Sequence, residues 1–413
     1  MKHCLFFLAS ATTLLAACSS NDAPTTNPQD VKGPEIELSV SSPQASVTSR
    51  GTGTVGGIVT QDGSIITANK WAGQTINVFM TGKGSLDLTQ ELDDNGLPTG
   101  TYIYTFTSMN TPQDATTGTV ERTDKQVKYY PPTGAFDFWG YHVDDAIAKG
   151  TVPSTSADGT LLTLPFKING TQDIMTAKAV LSEEQKTVVA ADKDKEEYYY
   201  SAFAARRGVQ PELTFRHELT RLTFSLTANS AEEADDTAGV YVTGIKVYSK
   251  TTGRLIVAYK PETKLSPDST LAIFDADSAA LSLKARAANA NANTSLIDIT
   301  EANAVHPAWN AQTGTSTPVA IGEALLVAPA DAYSIVVYMR QRKMVVQADG
   351  TKEAIYENKR FPLPTRIKPT NGAFLKGHSY NVNIKIYGLQ KVQISTTLTP
   401  WIQGEDINVD EDK

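Results

Sequence analysis

The chain has 413 residues, of which 40% are hydrophobic, 20% charged and 8% aromatic; this is the composition of a globular protein, at a length that suits two or three domains. A formal net charge of −8 argues against nucleic acid and anionic lipid headgroups as partners. The only two cysteines, Cys4 and Cys18, lie at the start, which excludes a disulfide scaffold, a zinc–thiolate site and a cysteine nucleophile from the body.

Residues 1–17 have the form of a secretory signal. Lys2 and His3 give a polar start, and an apolar run from Leu5 to Ala9 resumes at Leu14-Leu15-Ala16-Ala17. The run is too short to span a bilayer core of roughly 30 Å. Leu14-Leu15-Ala16-Ala17-Cys18-Ser19 looks like a lipobox, in which small residues admit the backbone to a peptidase and the Cys18 thiol takes a diacylglycerol. An ordinary signal peptide is the other reading. Acyl chains at Cys18 would anchor stably, since each buried CH₂ contributes about 0.8 kcal/mol. Ser19 to Asp30 is polar, contains two prolines and reads as a tether.

The body reads as strands. Period-2 alternation marks 74–80 (QTINVFM), 102–107 (YIYTFT), 241–248 (YVTGIKVY), 333–339 (YSIVVYM) and 380–387 (YNVNIKIY). In the last, Val382, Ile384 and Ile386 share one face, and Asn381, Asn383 and Lys385 the other. Thr252-Gly253 and Asp349-Gly350 are expected to close hairpins. One short helix is expected over 182–197, with Ser182 as its cap and Glu183 and Glu184 in its first turn. Many short strands with turn signals between them indicate an all-β protein of two β-sandwiches in series. The charged stretch 192–197, followed by Arg206-Arg207-Gly208, places the split near residue 208. The expected divisions are 1–17 (signal), 18–50 (tether and propeptide strand), 51–208 (N-terminal sandwich) and 209–413 (C-terminal sandwich).

Chemistry-bearing motifs are sparse. Gly51–Gly56 matches GxGxxG, but no helix follows and no acidic residue sits at the required distance. No GxSxG, HExxH or Walker sequence occurs. The five histidines are scattered with no metal-ligand spacing. The 192–196 segment lacks the turn glycine of a calcium loop, and its lysines oppose a cation. No metal, cofactor or catalytic residue is expected. The densest aromatic cluster is Phe136-Asp137-Phe138-Trp139-Gly140-Tyr141. It reads either as a half-buried strand or, through Trp139 and Tyr141, as an exposed platform for a glycan. Asp236-Thr237-Ala238, Asp268-Ser269-Thr270 and Asp277-Ser278-Ala279 resemble the short O-glycosylation motif of some bacterial surface proteins, placing candidate modification at Thr237, Ser269 and Ser278.

The order of landmarks along nearly the whole chain resembles the fimbrillin family, the subunits of type V pili in anaerobic Gram-negative bacteria. The landmarks are Cys18 in its lipobox and Arg50 after Val47-Thr48-Ser49. Trp71–Phe79 follows, then Tyr129-Tyr130-Pro131 with 136–141, and Gln172-Asp173-Ile174-Met175 with Ala177. The most specific is Phe215-x-His217-x-Leu219-x-Arg221-Leu222-x-Phe224, and Phe374-x-x-Gly377-x-x-Tyr380 with Trp401 closes the chain. On its own residues, His217 shares a parity with Leu213, Phe215 and Leu219, and reads as a hydrogen-bonded structural histidine rather than a ligand. The resemblance implies two tandem transthyretin-like sandwiches with few short helices. It also implies export as an outer-membrane lipoprotein, and cutting between Arg50 and Gly51 by an arginine-specific protease. A strand is thereby removed, and the groove it leaves is filled by a terminal strand of the next subunit. Arg50 also reads as an ordinary surface arginine. Ile36, Leu38 and Val40 alternate with polar residues and would form the removed strand. Val392, Ile394 and Leu398 would belong to the donor, with Ile402, Ile407 and Val409 as a less regular candidate. The implied product is a non-catalytic subunit of an adhesive fimbria at the cell surface. Its partners would be other fimbrial subunits, the protease, the outer-membrane lipid and a host or bacterial surface ligand. The alternative is a surface glycan-binding lipoprotein.

Overall fold

The computed structural model of the protein describes residues 33–41, 58–59, 65–66, 71–190, 200–235, 238–287, 296–360, 365–370, 372–389 and 391–399. These residues are mostly strands in antiparallel and mixed sheets that pack face to face, an all-β sandwich architecture. The alternating segments at 74–80, 241–248, 333–339 and 380–387 form strands as expected, whereas 102–107 does not: residues 103–106 bend between the strands Pro98–Tyr102 and Thr107–Asn110, Phe106 has φ +43°, and the neighbours Ile103 and Tyr104 are both buried. Val382, Ile384 and Ile386 of Ser379–Tyr387 are fully buried, while Asn381, Asn383 and Lys385 stay half-exposed.

In the N-terminal half a six-stranded sheet runs Glu121–Arg122, Thr107–Asn110, Thr75–Gly82, Phe136–Val143, Ile174–Lys178, Arg216–His217. Its central strand Phe136–Val143 is buried on both faces, not one. Phe136 and Phe138 enter a core with Ile76, Val78 and Met80. Trp139 and Tyr141, on the other parity, enter a second core with Phe79, Leu164 and Leu255. Asp137 lies among the aromatics because it is paired: it accepts from Lys83 Nζ at 2.9 Å and from the Gly84 N–H at 2.9 Å. Gly140 gives room for Phe215, whose ring would stand 2.8 Å from a Cβ there.

In the C-terminal half two five-stranded sheets face each other. One contains Thr220–Ala228, Ser379–Tyr387 and the edge strand Lys391–Thr399; the other contains Val240–Lys250, Tyr333–Val346 and Lys352–Arg360. Phe224, Leu226, Val382 and Ile384 from the first meet Ile245, Val247, Ile335 and Val337 from the second. The Asp349-Gly350 hairpin forms as expected. Val346 pairs with Lys352, Gly350 has φ +81°, and the Asp349 carboxylate accepts from the Thr351 amide at 2.9 Å.

The hairpin expected at Thr252-Gly253 does not form. Val240–Lys250 pairs with Ser278–Ser282 and Tyr333–Val346, while Thr252–Tyr259 pairs with Leu161–Lys167 and Ala272–Phe274. Each strand follows its apolar face into a different core. Gly253 serves close approach rather than a turn: a Cβ there would sit 2.3 Å from the Ile273 carbonyl oxygen. Because Leu161–Lys167 precedes residue 208 and its partner Thr252–Tyr259 follows it, the two halves share a core of residues from both.

The segment 213–224 joins these cores. It is three strands, Glu212–Thr214, Arg216–His217 and Thr220–Ala228, rather than one. Leu213 and Phe215 face the first core, with Phe215 edge-on to Trp71 at 5.2 Å; Leu219 faces the shared core; Leu222 and Phe224 face the C-terminal core. The inward parity therefore switches between Leu219 and Leu222, and Thr223 is only half-buried. Distant segments meet here. His217 Nδ1 lies 2.6 Å from the Asp173 carboxylate, both side chains fully buried. Glu218 accepts from Thr176 Oγ1 (2.8 Å), the Leu271 amide (3.0 Å) and Lys376 Nζ (3.2 Å). The Gly377 amide donates to the Leu219 carbonyl at 2.8 Å, and Arg221 Nη1 to Ser379 Oγ at 3.1 Å.

The helix Glu183–Ala190 starts where expected. Ser182 Oγ accepts from the Gln185 amide and Gln185 Oε1 accepts from the Ser182 amide, both at 3.1 Å, a reciprocal capping box. A second helix, Ala202–Ala205, is capped by Ser201.

Candidate functional site

Residues 33–41 form the most unusual feature of the N-terminal half. Alternation of Ile36, Leu38 and Val40 with Glu35, Glu37 and Ser39 requires a slot with one apolar wall, and the fold supplies it. The strand Ser39–Ser41 is the middle of a three-stranded sheet, antiparallel to Thr117–Thr119 and parallel to Glu212–Thr214. Val40 stands opposite Gly118 on one side and Leu213 on the other. Ile36, Leu38 and Val40 are 5%, 3% and 0% exposed, in the core with Trp71, Met109 and Phe215.

Backbone bonds run to both flanks. On one, the Ile36 amide donates to the Lys128 carbonyl (2.9 Å), Tyr130 to Pro34 (3.0 Å) and Val120 to Leu38 (3.1 Å). On the other, Ser39 donates to Pro211 (3.2 Å) and Phe215 to Ser41 (3.0 Å). Gln210 clamps the segment twice: its Nε2 donates to the Glu35 carbonyl at 3.0 Å, and its Oε1 accepts from the Glu37 amide at 3.3 Å. Gly33 fits against the Tyr130 carbonyl, which a Cβ would meet at 2.3 Å. Beside the strand a groove of about 340 Å³ stays open, lined by Ile36, Leu38, Tyr104, Met109, Val120 and Lys128. At its wall burial pushes the Tyr104 phenol up to about 12, against the opposing charge of Arg122.

The other expected residues are distributed as follows. Cys18, Arg50, Gly51 and Thr237 lie outside the described residues, as do Ile402, Ile407 and Val409. Val392, Ile394 and Leu398 lie on Lys391–Thr399, which among the described residues pairs with Ser379–Tyr387 alone, opposite Ile386, Ile384 and Tyr380. Val392 is buried, and Ile394 packs partly against the C-terminal core. Trp139 and Tyr141 are 1% and 4% exposed, which removes them as an exposed glycan platform. The reason is that their strand is covered on both faces. Trp139 Nε1 donates to Thr81 Oγ1 at 3.1 Å, and the Trp139 ring meets Tyr259 edge-on at 4.9 Å. Ser269 is half-buried, its hydroxyl 3.3 Å from that of Ser266; Ser278 is exposed at the start of Ser278–Ser282.

Beside the buried His217–Asp173 pair, His142 Nε2 lies 3.0 Å from Asp144 and its Nδ1 2.8 Å from the Thr75 carbonyl. Burial alone would depress this imidazole. The charge and hydrogen bond of Asp144, the Thr75 carbonyl and the Asp173 charge outweigh it and raise the group to about 9. Among the described residues no three His, Cys, Asp or Glu side chains are grouped to hold a metal, and no helix is long and apolar enough to cross a membrane.

The alternating segment is legible in the sequence, whereas the strands that flank it are not. Thr117-Gly118-Thr119 carries no apolar pattern, and Gln210 no motif.

The fimbrillin-like family model matches residues 65–401. No curated protein matches the chain. Among solved structures it is similar to a candidate cell adhesion protein from Bacteroides uniformis ATCC 8492, at 16% identity and TM-score 0.40, covering 91% of this chain and 100% of that one. A second candidate cell adhesion protein, from Bacteroides ovatus ATCC 8483, is 13% identical at TM-score 0.40, covering 90% and 99%. A fimbrial assembly protein from Parabacteroides distasonis ATCC 8503 is 10% identical at TM-score 0.33, covering 89% and 99%. Likeness at these scores adds no weight, and the assignment rests on the family match, which spans most of the sequence: the chain belongs to the fimbrillin-like family.

Proposed function

We propose that this chain is a non-catalytic, adhesive subunit of a bacterial surface fimbria. It is exported as a lipoprotein on Cys18 and joined to its neighbours by strand exchange after a cut between Arg50 and Gly51. The observation that carries the reading is the position of 33–41. This segment precedes Arg50, yet it is the middle strand of a sheet whose outer strands both follow Arg50. A cut there leaves the segment held only by hydrogen bonds and packing. Its departure opens two strand edges, Thr117–Thr119 and Glu212–Thr214, over an apolar slot, a template for another strand.

Lys391–Thr399 has matching chemistry, since Val392, Ile394, Thr396 and Leu398 repeat the every-second-residue spacing of Ile36, Leu38 and Val40. Among the described residues it has one neighbour in its own sheet; in the slot of another copy it would have two. Once 33–41 has left, the second ladder gained in the slot, set against the pairing with Ser379–Tyr387 and the packing of Val392 that are given up, would supply the driving force. Fimbrial subunits are the principal partners in this reading, and the cell surface the location. The ligand of adhesion would be a host or bacterial surface.

The test is Arg50→Ala. The variant is expected to fold and be exported as the full-length lipoprotein, and to give no polymer ladder on a gel. Normal ladders from it would remove Arg50 from assembly.

A further inference from the structure

The long strand Tyr333–Val346 outruns its sheet. Its pairing with Val240–Lys250 ends at Gln341, opposite Val240, so that among the described residues 343–346 pair only with 352–355. The two strands continue as a ribbon that closes at the Asp349-Gly350 turn. A two-stranded ribbon alone is marginal in water, and this one is apolar on both faces. Met344, Val346 and Tyr356 stand on one face, Val345 and Ile355 on the other, and all five are exposed, Val346 by 62%. Lys352, Glu353 and Glu357 occupy its outer strand, where charge discourages the addition of a further strand. The faces of this arm, rather than its edge, are therefore the surface on offer.

A second exposed apolar patch lies in the N-terminal half. A cleft of about 260 Å³ is lined by Leu92, Ile103, Val127, Tyr129 and Pro131. Val127 and Tyr129 are exposed, as are Leu97 and Tyr102 on the neighbouring hairpin formed by Gln90–Leu92 and Pro98–Tyr102. The cleft shares Val127 and Lys128 with the groove beside 33–41, so it adjoins the strand slot.

Strand register places the two patches at opposite ends of the molecule. Val240–Lys250 leads through Thr251 into Thr252–Tyr259, which lies in the core shared with the N-terminal half. At about 3.3 Å per residue the run from Val240 to Tyr259 spans up to about 60 Å. Val240 marks the base of the arm. Beyond Tyr259, Pro261 lies against Gly84, in the turn that leads from Thr75–Gly82 to the 90–102 hairpin. The arm of one copy thus stands far from its own cleft. The proposed donor leaves from the arm's end: Tyr387 pairs with Lys391 there, and Ile386 pairs with Ala228, which the chain connects to Val240. Arm and donor share one end, and cleft and slot adjoin in the other half.

The charges of the two surfaces are opposite. Residues 340–360 carry six cations against three carboxylates, a net +3, while the 90–102 hairpin carries Glu91, Asp93 and Asp94 and no cation, a net −3. Arg340 pairs with Glu301 at 3.0 Å and Glu91 with Lys128 at 2.6 Å, which leaves +2 facing −2. Arm against arm would set like charges together, whereas arm against cleft sets unlike ones. We propose that the arm of one copy seats on the cleft of the next, a second contact between successive subunits beside the exchanged strand. The contact rests on the strand-exchange reading, which brings the two surfaces together. Five apolar side chains are far fewer than the roughly 20–30 residues that a stable interface offers on each side, so the contact orients neighbours that the strand already tethers.

The test places the photo-crosslinking residue p-benzoylphenylalanine at Val346 of the full-length chain, displayed on cells with Arg50 intact. Illumination is expected to give covalent dimers whose cross-linked peptides join 340–360 of one copy to 90–132 of another. Val127→Lys, at a position 49% exposed and so outside the core, sets a cation against the cationic arm and should cut the dimer yield about tenfold. The polymer ladder is read on a sample kept from light. Its absence would refute strand exchange, whereas the cross-links alone decide the contact. No dimer, cross-links within one copy, between two arms or to a different protein, or a yield unchanged by Val127→Lys would each overturn the proposal.

Discussion

Leu38→Ala isolates the hold of the 33–41 segment on the body. Leu38 is 3% exposed, and its side chain packs in the N-terminal core. Truncating a leucine so placed costs about 2–5 kcal/mol, the transfer term plus the cavity left behind. Most of that loss is expected to act on the segment rather than on the whole fold, because the segment is joined to the body through a core that Trp71, Met109 and Phe215 maintain among themselves. The local readout is amide exchange. The Val120, Phe215 and Tyr130 amides donate to the Leu38, Ser41 and Pro34 carbonyls, so they exchange when the segment leaves. At about 3 kcal/mol lost, and about 1.4 kcal/mol per factor of ten, their protection should fall about a hundredfold. The Leu326 amide, which donates to the Gly170 carbonyl at the shared core, should change far less. Equal loss of protection at Val120 and Leu326 would refute the reasoning, because the segment would then be an inseparable part of the fold rather than an insert. Unchanged protection at Val120 would refute it as well, by removing Leu38 from the hold.

Two further predictions concern the junction. Asp173→Asn replaces the carboxylate that is hydrogen-bonded to His217 Nδ1 at a site where both side chains are fully buried; disrupting a buried hydrogen bond costs about 1–3 kcal/mol, read as a fall in the denaturant midpoint. An unchanged midpoint would mean that the pair is dispensable. His142 predicts a pH dependence. Its folded value, about 9, lies above the ordinary 6.5, so the folded state holds the proton more tightly than the unfolded chain. The stabilisation is complete below about 6.5, declines as pH rises and is lost beyond about 9, a change of about 3 kcal/mol. His142→Gln should flatten the profile in that window, and the same slope in the variant would assign the dependence to another group.

Legibility followed locality. Alternation in 380–387 and the Asp349-Gly350 turn are encoded within a few residues, and both elements form as read. The Thr252-Gly253 hairpin fails because neighbours along the chain choose different cores, a decision made by Leu161–Lys167 and Ala272–Phe274 far away in sequence. The 136–141 cluster read as half-buried, yet it carries aromatics on both parities, the local sign that both faces are covered. The 213–224 segment changes its inward parity because it passes between cores, which no periodicity can express. Ile36, Leu38 and Val40 were visible as an alternating set, whereas the strands that enclose them come together only in the fold.

In the proposed assembly, 33–41 occupies its slot temporarily and is absent from the assembled subunit. Intact-mass analysis of subunits taken from surface polymer tests it most directly. The expected subunit is a chain beginning at Gly51, without cysteine or lipid. Polymer whose subunits all retain residues 33–41, with acylated Cys18 at the start, would contradict it.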